Sequence, residues 1–163
     1  MTWLGQIAGK ECSESFFGLH KSEILKKYQR LAIGTIQGEK PEWVLPQTGE
    51  LSRVPYAEPA WLSRGYHSPY YNESHHALQK WMREFVDKHV TPDAREKEQS
   101  GERPSVELVQ LCGSTGVNAL RLGPGKHLQG RQLPAGLKWD QVDYFHEMII
   151  NQELARYADL YLS

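Results

Sequence analysis

From residue 72 onward the apolar positions fall into helical register. In "NESHHALQKWMREFVDKHV" the residues Leu78, Trp81, Met82, Phe85, Val86 and Val90 recur at three- and four-residue steps. That spacing puts them on one face of an amphipathic helix. Asn72 or Ser74 is placed to cap its start, because either side chain can accept a hydrogen bond from a first-turn N–H. Pro92 ends or kinks the helix, since proline lacks the N–H that the next turn needs. The polar run "DAREKEQSGERP" can carry helix along a surface as far as Gly101. "SVELVQLC" at 105–112 reads as a second, short helix, with Ser105 as N-cap and "GSTG" as its stop. A glycine-rich loop, "RLGPGKHLQGRQLPAG", follows, and a last helix begins near Asp140. Its apolar residues form two stripes, Val142, Phe145, Ile149 and Ala155 on one, Ile150, Leu154, Tyr157 and Tyr161 on the other. A helix apolar on two faces is expected to lie between neighbours.

The first 71 residues read differently. Residues 1–38 alternate short helical pieces with one strand-like run, "RLAIGTI". Residues 39–71 carry five of the nine prolines, which remove backbone donors and push their predecessors into extended geometry. The same stretch holds Trp43, Tyr56, Trp61, Tyr66, Tyr70 and Tyr71, so an arm packed along a surface is expected rather than a free linker. The pattern as a whole predicts a mainly α fold.

Composition narrows the function. Nineteen Lys and Arg against 20 Asp and Glu give a net charge of −1, without the basic excess of a nucleic-acid binder. Cys12 and Cys112 stand a hundred residues apart, outside any CxxC pair, and suit a reducing compartment better than a disulfide framework. No apolar run approaches the roughly 20 residues of a membrane span, and the first ten residues lack the pattern of a signal or transit peptide. A soluble, intracellular protein is expected.

Local motifs yield no catalytic constellation. In "LGPGKHLQGR" the pair Gly125–Lys126 is followed by His127 where a phosphate-binding loop requires Ser or Thr, and Gly123 and Gly125 are followed by Leu128 where the dinucleotide fingerprint requires Gly. "HEMII" begins like a zinc-protease helix, but Ile150 stands where the second histidine belongs. His75 and His76 are adjacent and face different sides of a helix, so these two and His67 are expected on a solvated surface. Glu147 and Glu153 fall roughly on opposite sides of the last helix and make no acid/base pair.

Residues 8–36 resemble the C-terminal half of a cytochrome b5-type haem domain, through "AGKECSESF", "GLHK" and "YQRLAIGTI". The resemblance implies a partial α+β segment in which His20 is an axial ligand of haem b iron. That family's other axial histidine lies in an upstream His-Pro-Gly-Gly motif, and the seven residues "MTWLGQI" before the match contain no histidine. Only a half-site is therefore implied, with His20 the sole cofactor- and metal-binding candidate.

Residues 54–163 resemble the acyl-CoA dehydrogenases, in a variety common in fungi, through "VPYAEPAWLSRGYHSPYYNESHHALQKWMREFVDKHVTPDA", "RLGPGKHL" and "DYFHEMIINQELAR". These pieces match the helical N-terminal domain of that fold in order and spacing. The resemblance implies a parent enzyme that binds FAD and oxidises acyl-CoA by α-proton abstraction and hydride transfer. Its catalytic base and most flavin contacts lie outside the matched region, so no catalytic residue is assigned here.

The expected organisation is a partial cytochrome b5-like segment at 1–38, an extended connector at 39–71, and an acyl-CoA dehydrogenase-type helical domain at 72–163. The fragment is expected to be inactive by itself, its parent using acyl-CoA and a redox partner. The contrasting expectation is a non-enzymatic helical module that binds a partner, or a second copy of itself, through the uncovered stripe of its last helix.

Overall fold

The structure, a computed structural model, describes residues 8–17, 20, 23–35, 37–38, 47–52, 58–63 and 65–158. It divides into two compact units, one of residues 1–46 and 51–63, the other of residues 47–50 and 64–163.

The described part of the first unit consists of two short helices, α1 (Ser13–Phe17) and α2 (Glu23–Lys27), and 3-10 turns at Gln29–Leu31 and Ala60–Leu62. The N–H of Ser13 is accepted by Glu11 Oε1 at 2.8 Å, and this contact, side chain and backbone together, holds the Glu11 carboxyl below its ordinary value. The strand expected across "RLAIGTI" does not form. Leu31 instead closes a 3-10 turn, sealed by the Ala32 N–H on the Gln29 carbonyl at 3.0 Å, and Ile33 is fully exposed. An extended segment needs a neighbour for its ladder, and among the described residues none is in strand conformation. The α+β character expected of this segment is therefore not seen; what is described is helical. Much of the proline-rich connector, residues 39–46, 53–57 and 64, lies outside the described residues.

The second unit is built on one long helical run. Helix α3 (Glu73–Phe85) passes through a π-helical turn at Val86–Val90 into α4 (Thr91–Ser100). Pro92 neither stops nor breaks it. The π turn shifts the Thr91 N–H onto the Val86 carbonyl, and widening of this kind gives a helix the slack to absorb a missing donor. Three further helices follow, α5 (Val106–Ser114), α6 (Val117–Leu120) and α7 (Tyr144–Ala158). Ser105 caps α5 by accepting the Leu108 N–H at 3.2 Å, while its own N–H reaches back to the Asp93 carboxylate of α4.

Leu78, Met82, Phe85, Val86 and Val90 from the first run meet Ile149 and Ile150 of α7, Val117 and Leu120 of α6, and the loop residues Leu128, Leu133 and Leu137 in one interior. Burying each such side chain is worth roughly 1.5–3 kcal/mol. Of the expected stripe on α7, Val142 and Ile149 are buried but Phe145 is half-buried and Ala155 exposed. On the second stripe Ile150 is buried and Leu154 half-buried, while the Tyr157 side chain and Tyr161 lie outside the described residues. Gly116, at φ 82°, turns the chain between α5 and α6. A Cβ there would come 2.7 Å from the Gln132 carbonyl oxygen, so the position is glycine for both conformation and space.

Midway along the helices polar groups meet inside this interior. Arg83 and Glu153 are both buried and meet side-on, Nε to Oε2 at 2.7 Å and Nη2 to Oε1 at 2.7 Å. Gln79 donates to Glu153 Oε1 at 3.0 Å and Arg156 to Oε2 at 3.2 Å. Arg83 Nη1 also reaches the Glu50 carbonyl at 3.5 Å. Beside it the Gly49 N–H is held by Asp87 Oδ2 at 3.0 Å.

Removing either partner of the central pair strands a buried charge. Glu153→Ala is expected to lower stability by roughly 3–5 kcal/mol, whereas Arg83→Met combined with Glu153→Leu recovers much of that loss. Urea unfolding midpoints of the full chain and the two variants measure both effects.

Candidate functional site: two histidines at paired helix N-termini

Helices α3 and α7 begin with the same local grammar. Asn72 is the N-cap of α3. Its side chain accepts the Ser74 N–H at 2.9 Å, and three residues on His75 Nδ1 accepts the Asn72 N–H at 3.0 Å. Asp143 plays the same part for α7, its Oδ1 accepting the N–H groups of Phe145 at 2.9 Å and His146 at 3.2 Å. In α3 this is a capping box with a histidine in the place usually held by Glu or Gln, and in α7 His146 stands at the same third position, its Nδ1 3.2 Å from the Asp143 N–H.

The two caps meet. The His75 and His146 rings stack with centroids 3.9 Å apart, and neither ring is exposed. Asp143 Oδ1 lies 3.0 Å from His75 Nε2 and 2.8 Å from His146 Nδ1. On the far side His146 Nε2 is 3.0 Å from Ser74 Oγ, which itself donates to Asn72 Oδ1 at 2.6 Å. Tyr71 and Phe145 stand edge-on to His75, at 5.5 and 6.3 Å between centroids. Eight residues on from His75 is Arg83, and seven on from His146 is its partner Glu153, so two contacts at about 11–12 Å along each axis align the helices. They therefore run parallel, with their N-termini side by side.

The protons can be assigned from these contacts. His75 Nδ1 receives a backbone N–H, so its own hydrogen is on Nε2 and is donated to Asp143. His146 Nδ1 faces both the Asp143 N–H at 3.2 Å and the Asp143 carboxylate at 2.8 Å. The nearer, charged acceptor decides: a lone pair set against a carboxylate oxygen at that distance would be repelled, so Nδ1 carries the hydrogen. The two histidines are opposite tautomers giving to one oxygen.

Each of His75, Asp143 and His146 presents a ligand-type atom, all within 4.8 Å of one another. The tautomers leave little for a cation, because the lone pair of His75 is already taken by the backbone of Asn72, and that of His146 points at Ser74. Binding through His75 Nε2 would first cost the ring its proton or the helix its cap. The arrangement is suited to holding protons, not an ion.

Burial pushes the His146 pKa below its ordinary value, opposed by the hydrogen bond to Asp143, with the nearby His75 adding to the depression. Burial pushes Asp143 up, but the hydrogen bonds from His75 and His146 outweigh it and the carboxyl ends lower than usual. Burial, with the Asp143 charge behind it, raises the Tyr71 phenol.

Sequence reasoning missed this site. His75, expected on a solvated surface with His67 and His76, is buried, while His67 and His76 are exposed. The signal was present as N-x-x-H at 72–75 and D-x-x-H at 143–146, the spacing of an N-cap and its third helical residue. Glu147 and Glu153 do stand apart as expected, Glu153 being committed to Arg83. In the first unit His20 is exposed, one turn beyond Phe16, whose ring is 5.0 Å away.

Depressed values in both groups have the same consequence for stability. Each contributes fully above its unfolded-state value and loses that contribution as pH falls through its folded-state value. Stability is expected to decline as pH drops below 6.5, through His146, and again below 3.8, through Asp143. His146→Gln keeps a capping-box residue and is expected to flatten the first decline. Thermal melts across this pH range, for the full chain and the variant, measure it.

Comparison with known proteins matches residues 72–161 to the acyl-CoA dehydrogenase N-terminal domain. An acyl-CoA dehydrogenase of Alternaria alternata is 32% identical over 112 residues, covering 67% of this chain and 26% of that protein. One from Emericella nidulans is 35% identical over 111 residues, covering 66% of this chain and 25% of that protein. The chain thus spans about a quarter of the length of these relatives. No solved structure matches it. No described helix is long and apolar enough to cross a membrane. The matched region contains both caps and the Arg83–Glu153 pair, and through it the chain belongs to the acyl-CoA dehydrogenase family, whose helical N-terminal domain it carries.

Proposed function

We propose that this chain supplies the helical N-terminal part of a flavin-dependent oxidoreductase acting on an acyl-CoA or a related acyl thioester. The observation that carries the reading is the domain match over residues 72–161, supported by relatives that bear the acyl-CoA dehydrogenase name.

The described residues do not make a flavin site of their own. The buried polar side chains of the second unit, His75, Gln79, Arg83, His146 and Glu153, are all engaged with one another, with capping groups or with backbone. Among the described residues of this unit no buried side-chain donor is left to hold an isoalloxazine or a pyrophosphate, so no flavin step is routed through it. Its part is to present a rigid helical wall. Leu122 and Tyr144 are its most exposed large apolar side chains, at 75% and 72%. Tyr144 lies against the backbone next to Leu122, since a Cβ on Gly123 would come 3.2 Å from the Tyr144 ring. A surface of this kind suits packing against further protein, which also keeps in play the reading of the unit as an interaction module, self-association included.

His20 is proposed as the remnant of an axial haem b ligand, on the resemblance of residues 8–36 to cytochrome b5. It is the only histidine among residues 1–63, so a second ligand would have to come from elsewhere, and the fit to haem is incomplete.

The test is to isolate the native polypeptide with an antibody raised against residues 72–100. The expected product carries FAD, and the visible absorbance of its oxidised flavin bleaches on addition of an acyl-CoA. Antigen recovered without flavin, and unresponsive to acyl thioesters, would overturn the reading. For the haem reading, a Soret band is expected on haem addition, and a His20→Ala variant that keeps this band would sink it.

A further inference from the structure

Ser74, half-buried in the first turn of α3, completes a line of three groups. Its Oγ is 3.0 Å from His146 Nε2, and on the opposite side of the same ring Nδ1 is 2.8 Å from Asp143 Oδ1. A hydroxyl, an imidazole and a carboxylate within hydrogen-bond reach in that order is the arrangement in which a serine becomes a nucleophile. We propose that Ser74 is an acyl-accepting serine, with His146 as its general base and Asp143 as the positioning residue, and that it reacts with activated acyl donors of the thioester or aryl ester class.

The His146 tautomer leaves Nε2 able to take a proton. With the hydrogen of His146 on Nδ1, the lone pair of Nε2 faces Ser74 Oγ at 3.0 Å; the serine hydrogen, donated to Asn72 Oδ1 in the resting arrangement, turns to Nε2 for the step. The groups facing the His146 ring are Ser74 and His75 from α3 and Asp143 at the N-terminus of its own helix. His75 gives a second hydrogen bond to Asp143 Oδ1, and the backbone N–H groups of Phe145 and His146 add two more. The carboxylate that orients the base is therefore held by four donors and kept ionised. Asn72 Oδ1, 2.6 Å from Ser74 Oγ, accepts the resting hydroxyl hydrogen, which the step requires it to release to His146.

The step balances without any further reagent. Ser74 Oγ forms a bond to the acyl carbon while its proton passes to His146 Nε2, making an imidazolium paired with Asp143. The bond from acyl carbon to sulfur or aryl oxygen breaks, and the leaving thiol or phenol takes the proton back from His146. An acyl ester of Ser74 and neutral His146 remain. Charge developing on the carbonyl oxygen is favoured by the partial positive end of α3, where the Glu73 N–H makes no hydrogen bond among the described residues.

Incubating the full chain with p-nitrophenyl acetate, and mapping acetyl groups by peptide mass, tests the proposal. Acetylation of Ser74 is expected, absent in Ser74→Ala and slower on the order of a hundredfold or more in His146→Gln, which retains a capping-box residue. The rate should also fall with decreasing pH as Nε2 gains a proton, and burial of His146 places that fall below the ordinary imidazole value. No acetyl on Ser74, or acetylation at an unchanged rate in a folded His146→Gln, would overturn it. Asp143→Asn still caps α7 and supplies an independent arm: an unchanged rate there overturns the proposal even if His146→Gln fails to fold. None of these outcomes bears on flavin content, so this inference and the family-based function stand or fall separately.

Discussion

One guanidinium–carboxylate pair sets the register on which the second unit depends. Taking Arg83 and Glu153 out of water costs several kcal/mol for each ion, and only close, two-pronged geometry offsets it. Both prongs are 2.7 Å long here, with Gln79 and Arg156 occupying further sites on the same carboxylate. Sliding α7 by one turn along α3 would leave two unpaired charges in an apolar interior, so alternative alignments of these helices are excluded by far more than the pair itself contributes. A buried ion pair of this kind acts as a registration device more than as a source of stability. The apolar residues around it, Leu78, Met82, Ile149 and Ile150, would tolerate several alignments; the charges tolerate one.

That register has a consequence at the other end of the helices. Parallel helices with aligned N-termini bring two partial positive ends together, which is unfavourable unless an anion lies between them. Asp143 is that anion. It caps its own helix and at the same time receives the His75 proton from the neighbouring one, so a single carboxylate serves both ends. Asn72, at the equivalent place in α3, is neutral, and a second carboxylate there would repel the first. The asymmetry between an Asn cap and an Asp cap follows from the parallel packing.

The helices were legible from the sequence because their apolar residues keep a three- and four-residue period through 78–90, and because Ser105 and Asn72 are strong capping residues. Three things were not legible, each for a physical reason. The π turn at Val86–Val90 leaves the apolar periodicity almost unchanged, so Pro92 looked like a stop when the backbone could accommodate it. "RLAIGTI" has strand-like composition, yet a strand is a property of pairing, and no partner exists among the described residues. The histidine site was hidden because His75 and His146 were read by motif and by neighbour, as a surface pair and a failed zinc helix. Their spacing from Asn72 and Asp143 was the informative quantity. It could have given the two caps; it could not have given their encounter, which depends on Arg83 finding Glu153.

The same encounter decides what the histidines are able to do. Either ring alone, at a helix N-terminus, would use its Nδ1 to accept a backbone N–H and leave Nε2 protonated. His75 does this. His146 would match it but for the carboxylate at 2.8 Å, which takes the place of the backbone as the stronger partner and reverses the tautomer. Two residues with identical local sequence logic thereby end with opposite proton positions. One ring has spent its lone pair on the cap, and the other keeps a lone pair facing Ser74 Oγ. The difference lies in neither histidine. It comes from which of the two caps carries the charge, and it turns a pair of structural caps into a donor on one side and a base on the other.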